Sequence, residues 1–158
     1  MTPDELHDRL STLADPACKA FGDSLQPGVT DRLGVRMPLV RRVARDVMRT
    51  EDVRAFLNAM LAAGGFASQE ALMVCVIVAG GAKALELEER LAFVDRLLPH
   101  MTGWATCDLT GSAVKVFREN REELIGYVGE KLASDDPWTV RVAEVWLLEH
   151  YRDARWTQ

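Results

Sequence analysis

Gly103-Trp104-Ala105-Thr106-Cys107-Asp108-Leu109-Thr110-Gly111 supports a reading of both the fold and the site. At about 100° per residue, a helix opening here and running to about Phe117 puts Trp104, Asp108, Gly111, Lys115 and Arg118 on one polar stripe. Ala105, Leu109, Ala113, Val116 and Phe117 take the other side and supply a face for burial. The polar stripe sets a large aromatic one turn from a carboxylate, then a glycine that clears space, then two cations. That order suits the floor of a groove.

Helical periodicity continues on both sides of this stretch, and no segment alternates with period two for long enough to form a strand. Upstream, helices are expected from Pro3 to about Ala14 and from Pro16 to Leu25. Leu33-Gly34-Val35-Arg36-Met37 is extended, as the residue before a proline prefers. Pro38 then opens a helix whose Val40, Val43, Ala44 and Val47 form a core stripe. A helix over Glu51 to Ala63 follows, and Ser68 caps an apolar one from Gln69 to about Ala79. Downstream come Glu86 to about Leu98, the Trp104 helix, Arg121 to Ala133, and a last helix with Asp136 as cap and Pro137 in its first turn.

The starts Pro38, Gln69, Gly103 and Pro137 lie 31, 34 and 34 residues apart, and Glu51, Glu86 and Arg121 lie 35 and 35 apart. This is the spacing of antiparallel helix pairs stacked side by side. The expected fold is therefore all-α, a HEAT-like helical repeat array rather than a closed four-helix bundle. One domain over residues 1–158 is the expected organisation, because the chain is too short for two independent cores.

Composition narrows the function classes. Cys18, Cys75 and Cys107 are odd in number and far apart, which points to neither a disulfide framework nor a zinc site. The N-terminus has no basic region leading into an apolar run, and Ala71 to Ala79 is too short to span a bilayer. A cytoplasmic protein with no membrane partner is expected. The net charge of −5 argues against a polyanion partner, but the distribution argues for one. Arg32, Arg36, Arg41, Arg42, Arg45 and Arg49 face only Asp46 within their window. His7, His100 and His150 are scattered and read as packing or surface residues, and Trp138 and Trp146 read as core.

On the last helix Arg141 shares its stripe with Trp138, Val145 and Leu148, so its guanidinium needs a carboxylate or an anionic ligand. Asp108 is the candidate partner, and Glu144 is an alternative. Leu33-Gly34-Val35-Arg36-Met37-Pro38, Trp104-x-x-x-Asp108 and Ser134-Asp135-Asp136-x-Trp138-x-x-Arg141 together resemble the AlkD-like DNA alkylation repair proteins, HEAT-like repeat glycosylases that excise N3- and N7-alkylpurines. The resemblance runs from about Phe21 to the chain end. It implies that Trp104 and Asp108 are the catalytic pair and Arg141 the active-site arginine. It also implies that alkylated duplex DNA lies along the concave face without its lesion entering a deep pocket.

Arg36, Arg41, Arg45, Lys115 and Arg118 are the expected DNA contacts. Family members continue for at least one more repeat, which brings a second active-site aromatic, so this chain is expected to lack the last repeat. Phe21 stands roughly where one branch of the family has Tyr.

The chemistry is consistent with these residues. A cationic alkylpurine is already a good leaving group, so the protein has to stabilise an electron-poor sugar and place a water. Asp108 suits that task, Trp104 can hold a cation on its π face, and no metal or organic cofactor is required. The alternative is a non-catalytic helical scaffold that binds DNA or a protein partner on the same face.

Overall fold

A computed structural model describes residues 1–153 of the chain. The last five positions of the expected single domain, 154–158, lie outside the described residues. Among the described residues there are ten α-helices: α1 (Pro3–Ser11), α2 (Pro16–Leu25), α3 (Met37–Thr50), α4 (Val53–Ala62), α5 (Gln69–Gly81), α6 (Leu87–Leu97), α7 (Trp104–Ala113), α8 (Val116–Glu119), α9 (Arg121–Leu132) and α10 (Pro137–His150). Among the described residues there is no strand.

Side chains set most of the starts. Asp15, Asp52 and Asp136 each accept from two backbone N–H groups of the following turn, at 2.8–3.4 Å. Ser68 accepts from Ala71 N–H at 3.2 Å. Such caps satisfy donors that a helix cannot pair internally and are each worth about 1 kcal/mol.

The helices form two layers. α3, α5, α7 and α10 pack side by side in chain order, while α4 and α6 back onto α5 and α9 backs onto α10. This is the arrangement expected of a stack of helix pairs. Between the layers lies a continuous core from Leu6 and Val40 through Val74 and Leu97 to Phe117 and Trp146. Trp146 is fully buried and stacks on Phe117 with ring centroids 4.2 Å apart. α5 is buried on all sides along most of its length, as its apolar composition predicts.

One expectation about length fails. The Trp104 helix does not run to Phe117; it stops at Ala113, and Val114 leaves helical geometry at φ −97°, ψ 70° before α8 begins. The hydroxyls of Thr106, Thr110 and Ser112 bond back to Gly103, Cys107 and Leu109 carbonyls, which competes with the helical ladder. The end of α7 is also pressed against α5: a Cβ on Gly80 would stand 2.4 Å from the Ala113 carbonyl oxygen. Turning the chain at Val114 lets Phe117 enter the core beneath Trp146.

Candidate functional site

The exposed stripe of α7 is Trp104, Asp108 and Ser112, spaced by one turn each. Gly111 does not belong to it. A Cβ there would lie 2.7 Å from Glu149 Cγ and 2.8 Å from Val145 Cγ1, so the glycine is what lets α10 approach α7. That approach delivers Arg141. Its Nε donates to one Asp108 oxygen at 2.9 Å and an Nη donates to the other at 3.0 Å, a bidentate fork between helices. Both side chains are 41% exposed, so the pair stays open to a ligand. Glu144 takes no part in it. Trp104 remains 40% exposed, too much for a core residue, and Trp138 is half-buried against the core.

Beside Trp104 lies an apolar cleft of about 380 Å³, lined by Phe21, Leu25, Met37, Met73, Ala105 and Leu109 among others. Phe21 and Leu25 are exposed, so α2 turns an apolar edge towards Trp104. A residue that sequence reasoning missed holds the cleft's other wall. Glu70, buried at the start of α5, accepts from the backbone N–H groups of Leu33, Gly34 and Val35 at 3.0, 2.7 and 3.1 Å. Gly34 sits at φ +88°, a left-handed conformation that suits glycine and brings these N–H groups onto one carboxylate. Arg32 is likewise buried, held by Gln26 at 2.6 Å, Gln69 at 3.2 Å and Asp23 at 3.2 Å.

The arginine-rich window is less basic in space than in sequence. Arg36 forks onto Asp15 at 2.9 and 2.7 Å, Arg49 pairs with Asp46 at 2.9 Å, and Arg32 is turned inward. The Arg36 guanidinium holds the Asp15 carboxyl below its ordinary value. Arg36 and Arg118 line neither large cleft. Arg41, Arg45 and Lys115 do, and they line the same one. Arg41 also donates to Ser112 at 3.0 Å, reaching from α3 to α7 across the intervening α5. A bond between helices two apart in the layer means that this face curves inward. Trp104, Asp108, Ser112, Arg141 and Arg41 are therefore brought onto one face, and Lys115 joins them from the turn after α7.

Other chemistries find less support. Cys107 is buried with its thiol 3.7 Å from the Trp138 carbonyl, and burial pushes its pKa up to about 12, so it offers no thiolate near neutral pH. Among the described residues no group of three His, Cys, Asp or Glu side chains is placed to hold a metal ion, and no helix is long and apolar enough to cross a membrane.

A family model described as "DNA alkylation repair enzyme" matches residues 6–158. No curated protein and no solved structure gives a significant match to the chain.

Proposed function

This chain belongs to the family of DNA alkylation repair enzymes, and from that premise we propose that it is a glycosylase for cationic N3- and N7-alkylpurines in duplex DNA. The carrying observation is the open Asp108–Arg141 fork one turn from an exposed Trp104, on the inward-curving face of the helix layer. In the proposed reaction the C1′–N bond breaks and its electron pair returns to the purine, which leaves neutral. A water forms the new C1′–O bond and releases one proton. The deoxyribose passes through an oxocarbenium-like state that Asp108, as a carboxylate, opposes at short range.

Arg141 fixes the orientation of that carboxylate and presents its remaining N–H groups to a flanking phosphate. Trp104 receives the cationic base on its π face, a contact worth about 0.5–2 kcal/mol. Favourable departure of the charged purine removes the need for a strong general acid, and a shallow face suffices in place of a deep base pocket.

Incubating the purified protein with methylated duplex DNA and separating the released bases tests this reading. N7-methylguanine or N3-methyladenine should appear above the spontaneous rate, and Trp104→Ala should reduce the yield while the protein stays folded. Release no faster than in buffer would leave the non-catalytic scaffold as the better reading.

A further inference from the structure

The second cleft on this face is larger, about 590 Å³, and differs in chemistry from the apolar one beside Trp104. Arg41, Arg45, Lys83 and Lys115 converge on it from α3, from the turn after α5 and from the turn after α7, and Glu119 is the single acid among its lining residues. Elsewhere the arginines are largely neutralised, Arg9 on Asp46, Arg36 on Asp15, Arg54 on Glu89 and Arg121 on Asp153. None of the four converging side chains, Arg41, Arg45, Lys83 and Lys115, forms an ion pair among the described residues. Four cations set against one carboxylate leave a net positive charge, and an anion bound between them offsets their mutual repulsion.

The floor of the cleft supports the same reading. α5 ends here, and the C-terminus of a helix presents unpaired carbonyls and a partial negative charge that repel anions. Arg90 covers that end. Its guanidinium donates to the carbonyls of Ala79, Gly80, Ala82 and Leu85 at 2.9, 2.7, 2.8 and 3.0 Å. A floor that would repel an anion is thereby made cationic.

We propose that this cleft is a phosphate seat, distinct from the Trp104–Asp108 pair and joined to it by Arg41 and Ser112, which line both clefts. The group it takes is a phosphate, either a phosphodiester of a nucleic-acid strand crossing the face or a free phosphoanion. Only the first source rests on the repair reading, and neither depends on cleavage of a glycosidic bond.

Amide spectra of the full chain, titrated first with inorganic phosphate and then with a short undamaged duplex at constant ionic strength, test the seat. The Gly81, Lys83 and Lys115 signals should shift saturably with phosphate while Gly64 and Gly65 stay put. A Lys83→Ala/Lys115→Ala variant should lose those shifts; both side chains are exposed, so the fold is unaffected. In the same variant the slope of log affinity for duplex against log salt should fall by about two, close to one per phosphate contact. Saturable phosphate shifts with an unchanged duplex slope would support the seat with a free phosphoanion as its occupant. Non-saturating shifts that are identical in the variant, together with an unchanged slope, would overturn it.

Discussion

Arg141 and His150 sit on one helix and show how differently a polar side chain can be placed there. Arg141 finds both oxygens of Asp108 and remains accessible. His150 is 5% exposed and stacks near Phe117 at 6.1 Å. Burial pushes its pKa below the ordinary 6.5; Glu149 and the Gly111 backbone pull it up, while Arg121 and Arg118 add to the lowering. The unfolded chain therefore takes up a proton on this ring before the folded protein does, and stability is lost as pH falls through about 6.5 and below. Denaturant midpoints between pH 7.5 and 5.5 should drop for the wild-type protein and drop less for His150→Phe (roughly the span around an ordinary histidine pKa). Parallel pH curves would show that the buried imidazole contributes nothing. The Arg141–Asp108 pairing was legible in the sequence because a guanidinium on an apolar stripe demands an anion. Arg90 carries the same signal between Leu87, Leu91 and Val94, yet its partners are backbone carbonyls, which leave no trace in residue identities.

Helix starts were readable because Asp15, Ser68 and Asp136 act as caps through their own side chains. The end of α7 was not, because its periodicity runs on past Val114 and the turn is imposed by α5 packing against Ala113. This is why Lys115 lies in the second cleft and Arg118 outside both. Glu70 stayed hidden for a related reason: it opens a helix that reads as strongly apolar, and the three groups it holds are main-chain N–H. Glu70→Ala should leave those donors buried and unpaired, costing about 2–4 kcal/mol in chemical denaturation. Gly111→Ala is the complementary test of helix contact. With Val145 and Glu149 under 3 Å from the new methyl, α10 has to move away from α7, at a cost of about 1–3 kcal/mol. Both variants should weaken base release through the geometry they support. A Gly111→Ala protein of unchanged stability would show that the contact between α7 and α10 is looser than described.

Over the whole molecule, an acidic total coexists with one basic face because the acids sit where arginines need neutralising. The chain carries −5 overall, yet Arg36, Arg49 and Arg54 are paired elsewhere, while Arg41 and Arg45 form no ion pair among the described residues. Counting the charges of one window overstated its basicity, since Asp15 and Asp23 reach it from outside. Duplex binding should therefore be steeply salt-dependent despite the net charge, with Arg41→Ala and Arg45→Ala each lowering the slope by about one and Arg36→Ala leaving it nearly unchanged. An Arg36→Ala effect as large as the other two would place the strand elsewhere. The layered stack of helix pairs brings Trp104, Asp108 and Arg141 together from helices 24 or more residues apart in sequence, counting from the end of α7 to the start of α10. Its functional meaning turns on the Asp108 carboxylate. The most direct measurement is the single-turnover rate of base release from a duplex carrying one 7-methylguanine, compared between the wild-type protein and Asp108→Asn. A fall of at least about a hundredfold, with stability changed by less than about 1 kcal/mol, is the predicted result. Equal rates in the two proteins would contradict the assignment.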